Sequence, residues 1–159
     1  PTVFFEHRAL LDAASARSPY PGDDYVLPFG IARTICEGTD ITIITWGAMV
    51  ERCLEATENV DYSVEVIDLR TIVPWDRETV MQSVVKTKRA IVVHEDAITA
   101  GFGSEVVAAI MEDCFFDLDA PVTRLAVPDI PIPHDVGLMS MTVPSVDAIA
   151  AKIVETVTL

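Results

Sequence analysis

Three consecutive polar residues, His94, Glu95 and Asp96, are the first place in this chain to look for chemistry. They follow the apolar run at residues 90–93, which reads as a strand covered on both faces. A histidine beside a carboxylate is typical of a general base with an orienting acid. Because adjacent residues of a strand point to opposite faces, the two pair only if the strand ends between them. A supporting or interface histidine is therefore favoured over a catalytic one.

Other motifs exclude several kinds of active site. Gly101, Phe102 and Gly103 match neither the dinucleotide-binding nor the P-loop glycine pattern. Ser104 lacks the flanking glycines of a hydrolase nucleophile elbow. The three histidines and three cysteines have no zinc-ligand spacing and no CxxC pair, so we expect reduced, buried thiols in a cytosolic or organelle-matrix protein.

The elements that must position these residues alternate between strand and helix. Strand patterns occupy residues 32–36, 40–46, 63–68, 90–93 and 121–127, the last expected as a central strand. Helical periodicity follows Gly47, Asp76, Gly103 and Ser145, with Asp76 and Ser145 as capping residues. About five strands and about four helices predict a three-layer α/β/α sandwich with a mainly parallel sheet. His94 to Asp96 then lie at the carboxyl end of a strand, where such folds collect ligands and partners.

The helical periodicity also predicts which side chains face the sheet. Three helices have a clear apolar stripe at the i, i+3, i+4 spacing. The inward residues are expected to be Val80, Met81, Val84 and Val85; then Val106, Val107, Ile110, Met111 and Cys114; and finally Val146, Ile149, Ile153, Val154 and Val157.

Two segments fall outside this alternation. Residues 1–7 read as a strand without an obvious partner, and residues 8–24, with two prolines and a glycine, read as a linker. The domain proper is expected to begin at Tyr25. The proline-rich run at residues 127–135 must be an extended surface segment, lying either across a neighbouring subunit or on its own domain.

Charge and hydropathy restrict the kinds of molecule that this protein is expected to bind. With 25 acidic and 11 basic residues, the net charge of −14 repels nucleic acid. The same acidity suits a basic protein partner, although solubility alone is the commoner reason for an acidic surface. No apolar run approaches the roughly 20 residues of a membrane span, and no signal peptide opens the sequence, so no membrane association is expected.

Several segments together resemble one enzyme family. VEVIDLRTIVPWD (64–76) and KTKRAIVVHEDAITAGFGSE (86–105) carry the resemblance, supported by FFEHRALL (4–11), YPGDDYVLPFGIA (20–32), EGTDITIITWGAMV (37–50) and LDAPVTRLAVPDIPIPH (118–134). The chain is similar to the C-terminal half of the β subunit of thiamine-diphosphate-dependent 2-oxo acid dehydrogenases, which act on pyruvate, branched-chain 2-oxo acids or acetoin.

The resemblance implies a transketolase C-terminal-type domain at residues 25–159, with a five-stranded, mostly parallel mixed sheet and one antiparallel edge strand. Residues 1–24 then look like a remnant of a preceding pyrimidine-binding domain plus a linker. In the family, thiamine diphosphate and Mg²⁺ are bound elsewhere in the full enzyme. The resemblance therefore transfers no catalytic, cofactor or metal residue to this chain, and the isolated chain is expected to be inactive.

The family role of such a domain is assembly, in the bacterial cytoplasm or in a mitochondrial or plastid matrix. The implied partners are the α subunit, a second β subunit and the basic subunit-binding domain of dihydrolipoyl acyltransferase. Two alternatives stay open: a standalone, non-catalytic interaction domain, and the C-terminal domain of a transketolase or deoxyxylulose-phosphate synthase. The interface candidates are His94, Glu95, Phe102, Ile132 and Pro133, and the acyltransferase-docking candidates are Asp129 and Leu159.

Overall fold

A five-stranded sheet organises the computed structural model, which describes residues 1–14 and 16–159. The spatial order is β1-β3-β2-β4-β5, with β1 antiparallel to β3 and all other neighbours parallel. This confirms the predicted mixed sheet with one antiparallel edge strand. The strands are β1 (Arg33–Cys36), β2 (Ile41–Thr45), β3 (Val64–Asp68), β4 (Ala90–Ala97) and β5 (Thr123–Val127).

Helices cover both faces of the sheet. One apolar cluster joins the sheet to α2 and α6, and the other joins it to α3 and α4, which gives the predicted three layers. The helices are α1 (Arg8–Asp12), α2 (Met49–Thr57), α3 (Arg77–Thr87), α4 (Gly103–Cys114), α5 (Val136–Thr142) and α6 (Val146–Val157), and a 3₁₀ turn spans Phe115–Asp117.

The central strands are apolar throughout because both of their faces are covered. Ile43 of β2 and Ile91 of β4 lie in the cluster beneath α2 and α6. Ile44 and Val92, the next residues along each strand, lie in the cluster beneath α3 and α4. Full burial of one such side chain contributes about 1.5–3 kcal/mol to the free energy of folding. The run without alternation is therefore what this sheet requires.

The face of α3 differs from the prediction at one position. Val85 is 44% exposed, whereas Ser83 and Thr87 are buried against the sheet. The reason is Thr42 of β2, whose buried hydroxyl lies 2.6 Å from Ser83 Oγ and 2.7 Å from Thr87 Oγ1. A buried hydroxyl needs a hydrogen-bond partner, so the polar side of α3 turns inward here. Likewise Met111 and Val154 are partly exposed, and Ala109 and Thr156 are buried.

A buried carboxylate is hydrogen-bonded to this group of buried hydroxyls. Glu65 of β3 is 3% exposed and accepts hydrogen bonds from Ser83, from Lys86 and from the backbone N–H of Gly38. Burial is the largest single effect and raises the pKa of Glu65, but these hydrogen bonds together outweigh it, so the net pKa is lowered. Glu65 is therefore held as a carboxylate inside the fold.

Both predicted capping residues are confirmed. Asp76 Oδ1 accepts a hydrogen bond from the Thr79 N–H at 3.0 Å, and Ser145 Oγ accepts one from the Ala148 N–H at 3.2 Å. Such caps stabilise a helix by about 1 kcal/mol each. The second carboxylate oxygen of Asp76 accepts the Ala32 N–H at 2.8 Å, so this residue also fastens the approach to β1.

Other predictions about local structure were wrong. Residues 1–7 form no strand, since within the described ranges no strand pairs with them, and α1 follows directly. β5 is an edge strand rather than a central one. Strand β4 begins at Ala90 and extends to Ala97, so it includes the polar residues 94–96 that were expected to follow the strand. Helix α5 was missed, although Asp135 caps it by accepting the Leu138 N–H at 3.0 Å.

One stretch near residue 159 is longer and more apolar than the sequence analysis expected. The 22-residue stretch Val136–Val157 is, by length and a mean hydropathy of 1.3, apolar enough to cross a membrane. It comprises two helices, α5 and α6, separated by extended backbone at Val143 and Ser145. Ile149 and Ile153 of α6 are fully buried in the core, which accounts for part of its apolar character.

Candidate functional site

The carboxyl edge of the sheet gathers most of the predicted site residues. The four parallel strands β2, β3, β4 and β5 all end there, and β1 begins there because Arg33 pairs with Asp68. The segments that leave this edge are residues 46–48, 69–76, 98–102 and 128–135. They contain the loops in which a ligand or partner site is expected in an open α/β sheet.

His94 lies inside this edge rather than on it. Its side chain is fully buried and stacks on Trp46, with ring centroids 5.2 Å apart and an interplanar angle of 8°. Neither ring nitrogen has a hydrogen-bond partner in the described part of the chain. Burial lowers the pKa of His94, Asp96 raises it and Arg124 lowers it further, with a net lowering. His94 is thus a neutral packing ring at ordinary pH.

Two glycines make room for that ring. A Cβ atom on Gly103 would lie 2.3 Å from His94 Nε2, and one on Gly101 would lie 2.9 Å from His94 Cε1 and 2.2 Å from the Ala97 carbonyl oxygen. Neither glycine has a positive φ; Ala100, at φ 62°, supplies the left-handed residue of this corner. The glycines therefore allow a close approach of the backbone to the ring, and we call residues 100–103 the glycine corner.

Phe102 links His94 to a larger aromatic cluster. Its ring meets Trp46 edge to face at 5.7 Å and meets Trp75 in the same way at 6.3 Å. Edge-to-face aromatic pairs contribute about 0.5–1.5 kcal/mol beyond their buried area. Phe102 is therefore held from within the domain. Sequence reasoning did not single out Trp46 and Trp75, although Trp46 directly follows the β-branched run of β2, Trp75 follows Pro74, and each precedes a helix.

Glu95 points away from His94, as the strand geometry predicted. Its Oε1 lies 2.8 Å from Nε2 of His7, and both side chains are about one-third exposed. The pair connects the N-terminal segment to the end of β4. A base and its orienting acid must lie within about 2.6–3.2 Å of each other. Because Glu95 contacts His7 instead, the structure does not bring His94 and Glu95 together as a catalytic pair.

Asp129 is exposed but held in one orientation. Its carboxylate accepts hydrogen bonds from the Thr99 N–H at 3.2 Å and from the Thr99 hydroxyl at 2.6 Å. Arg124 reinforces the same corner by donating to the Ile98 carbonyl and, at 2.6 Å, to Ser104 Oγ. These bonds fasten the loop after β4 to the loop after β5. Thr99 and Arg124 carried no sequence motif that would have revealed this role.

The remaining candidates divide between two places. Glu95, Asp129 and Ile132 line a shallow cavity of about 320 Å³ between the ends of β4 and β5. Pro133, Phe102 and His94 lie outside its lining, and Leu159, 71% exposed, follows the end of α6. Within residues 1–14 and 16–159, no three His, Cys, Asp or Glu side chains form a cluster that could hold a metal ion.

Comparison with known proteins places this geometry in a family. Residues 30–149 match the family model described as "Transketolase, C-terminal domain". The chain is 46% identical over 137 residues to the 2-oxoisovalerate dehydrogenase subunit beta 2, mitochondrial, of Arabidopsis thaliana, covering 84% of this chain and 37% of that protein. It is 45% identical over 132 residues to the pyruvate dehydrogenase E1 component subunit beta of Staphylococcus aureus, covering 81% and 40%.

A solved structure agrees with the sequence relatives. The fold superposes on the structure titled "Split gene transketolase, inactive beta4 tetramer" with a TM-score of 0.72 and 25% identity, covering 87% of this chain and 45% of that one. The chain therefore spans about two fifths of the length of the curated relatives it matches.

Proposed function

The chain belongs to the family of transketolase C-terminal domains, and we propose that it is the assembly and docking domain of the β subunit of a 2-oxo acid dehydrogenase. The relatives at 45–46% identity, named as β subunits of such enzymes, support this assignment. The observation that carries the assembly role is His94, which is fully buried, stacked and unpaired at the sheet edge where a catalytic group would be expected. Its environment suits packing rather than proton transfer.

The chemistry of the whole enzyme is proposed to lie outside this chain. That chemistry is oxidative decarboxylation of a 2-oxo acid followed by acyl transfer to a lipoyl group, with thiamine diphosphate and Mg²⁺. The residues described here do not fit that cofactor, because they include no cluster of metal-ligating side chains and the glycine corner is filled by His94. We therefore expect no turnover from the chain alone, and detectable decarboxylation by it would contradict the proposal.

The substrate is proposed only as a class. A relative named for 2-oxoisovalerate and one named for pyruvate match this chain equally well, at 46% and 45% identity. The transketolase structure matches at 25%, which favours a dehydrogenase over a transketolase. The deciding assay combines the chain, within its full β subunit, with an α subunit and compares turnover of pyruvate with turnover of branched-chain 2-oxo acids.

The proposed partners are the α subunit, a second β subunit and the basic subunit-binding domain of dihydrolipoyl acyltransferase, in a bacterial cytoplasm or an organelle matrix. The net charge of −14 suits the basic partner. Asp129 supports docking because its exposed carboxylate is held in place by Thr99 before any partner arrives. Leu159 stays a docking candidate, and His94, Glu95, Phe102, Ile132 and Pro133 stay interface candidates.

Calorimetric titration of the subunit-binding domain into the β subunit tests the docking residue. We expect Asp129→Asn to weaken binding about tenfold, since it removes a charge that faces a basic partner. Thr99→Val is the matched control: it removes the hydroxyl hydrogen bond but leaves the carboxylate, and is expected to weaken binding less. An affinity unchanged by Asp129→Asn would reject Asp129 as a docking residue.

A further inference from the structure

The His94 ring fills the glycine corner and is tightly enclosed there. Trp46 stacks on the ring, and the backbone of Gly103 approaches it so closely that a Cβ atom would lie 2.3 Å from Nε2. A Cβ atom on Gly101 would lie 2.9 Å from Cε1 of the same ring. The ring therefore has little room to shift towards α4 while the corner stays closed.

This enclosure suits a neutral imidazole better than a charged one. The ring of His94 is fully buried, and in the described part of the chain neither of its nitrogens has a hydrogen-bond partner. Protonation would make both nitrogens N–H donors and would add a full charge. Because a buried charge without hydrogen-bond partners is costly, acid opposes the closed arrangement.

The charged groups that act on the ring do not offset this cost. Burial has the largest effect and lowers the pKa of His94, Asp96 of β4 raises it, and Arg124 of β5 lowers it. The net result is a lowered pKa. The closed corner therefore binds a proton more weakly than an open corner would, so falling pH favours the open form.

The other described elements packed against the ring bring no charge to it. Strand β2 is followed by Trp46, whose uncharged indole stacks on the ring, and α4 presents the backbone of Gly103. Glu95 contacts His7, and Glu105, in the first turn of α4, is exposed to solvent. Neither carboxylate is thus placed to pair with a protonated His94.

The loop after β4, residues 98–102, depends on this packing. It runs past the ring to α4, and its Thr99 holds Asp129 in the loop after β5. Arg124 joins the same loop and Ser104 of α4 to β5. A ring that leaves the corner would therefore loosen the loop and the first turn of α4 together.

We propose that His94 is a pH-sensitive switch: its neutral ring keeps the glycine corner closed, and its protonation opens the corner and frees residues 98–106 while the rest of the domain stays folded. Histidine suits this role because its charge changes near neutral pH. Segments held by few contacts can open locally without global unfolding. The inference does not rest on the proposed function, since it concerns only the fold of this chain.

Hydrogen exchange followed by mass spectrometry tests the switch, using the chain itself because both apolar clusters of its core form within it. Exchange rates are corrected for the intrinsic pH dependence of amide exchange. From about pH 7.5 to about pH 5, we expect the protection of residues 98–106 to fall about tenfold, because each pH unit between the pKa values of the open and closed forms raises the opening constant up to about tenfold. Residues 49–57 of α2, on the other face of the sheet, should keep their protection.

Two histidine variants assign the effect. His94→Gln stays neutral at every pH, so its residues 98–106 should not lose protection in acid. His7→Gln is the control: it removes the histidine that contacts Glu95 beside the corner, and the fall in protection should persist. Circular dichroism identifies a variant that has failed to fold. In that case NMR of the wild-type chain with labelled histidine decides, because the His94 ring must titrate over the pH range in which protection falls.

Any of five results would overturn the inference. Protection of residues 98–106 that is unchanged down to about pH 5 would reject the switch, and so would a His94 ring that titrates without a change in protection. An equal loss of protection in α2 would show global unfolding instead. A fall that persists in His94→Gln, or that disappears in His7→Gln, would assign the effect to another group.

Discussion

Replacement of Gly103 by alanine tests the packing of the glycine corner directly. The new Cβ would lie 2.3 Å from His94 Nε2 and 2.5 Å from Cδ2, where ordinary van der Waals contact begins at 3.4 Å, a shortfall of 3.4 − 2.3 = 1.1 Å at the nitrogen. The histidine ring cannot easily withdraw, because it stacks on Trp46 with ring centroids 5.2 Å apart. The change therefore forces either the ring or the start of α4 to move.

The expected cost is about 2 kcal/mol. Overpacking a filled interior costs about 1–3 kcal/mol, and the better helix propensity of alanine returns less than about 1 kcal/mol at a first-turn position. For a chain of 159 residues, a loss of 2 kcal/mol lowers the Tm by roughly 4–8 °C. Urea denaturation followed by circular dichroism gives the free energy of unfolding.

A control variant and a second mutant background show whether the cost of Gly103→Ala comes from contact with the His94 ring. Gly137→Ala is the control, because Gly137 lies in the first turn of α5 and its Cβ would meet only the exposed Asp135 side chain at 3.2 Å. We expect its effect to stay within about 1 kcal/mol of zero. In a His94→Ala background the obstacle is gone, so Gly103→Ala should cost little, giving a coupling energy of about 2 kcal/mol. Equal effects of the two glycine substitutions, or an undiminished cost without the ring, would refute the reasoning.

Two further predictions concern charge inside the fold. Because burial lowers the pKa of His94, the unfolded chain binds more protons at this site, so stability falls as pH drops from about 7 through the histidine range, by up to about 1.4 kcal/mol per pH unit. His94→Gln should flatten that slope between pH 7 and 5, and an unchanged slope, or the same flattening in His134→Gln, would contradict this. Lys86→Ala should cost about 2 kcal/mol in urea denaturation because Glu65 loses its cation while 3% exposed. Lys152→Ala, whose carboxylate partner Glu155 is 59% exposed, should cost under about 0.5 kcal/mol, and equal costs would count against the buried role of Glu65.

The sheet could be predicted from the sequence because its signals are local. The apolar runs that became β2 and β4 and the capping residues before α3 and α6 depend on neighbours a few residues away. The inward face of α3 depends instead on Thr42, more than 40 residues earlier in the chain. Hydrophobic periodicity favoured Val85 there, but the need to satisfy a buried hydroxyl decided the orientation.

The interior of the candidate site was harder to predict. The sequence placed His94 and Glu95 at the end of a strand, whereas both lie within β4, which runs on to Ala97 before α4 begins at Gly103. It could not reveal that Gly103 approaches the histidine ring, because that distance depends on how α4 packs on β4. Nor could it reveal that Glu95 contacts His7, nearly 90 residues away.

The polar groups at the carboxyl edge share one physical role. Glu95 holds the N-terminal segment, Asp129 holds the loop after β4 and Arg70 holds the loop before β1. Each bond joins segments that are distant in sequence, so the loops of this edge are fastened to other parts of the domain. Loops fastened in this way lose little entropy on association, and Glu95 contacts His7 rather than His94, which is buried and unpaired among the described residues, so this edge agrees better with the proposed assembly role than with proton transfer by His94.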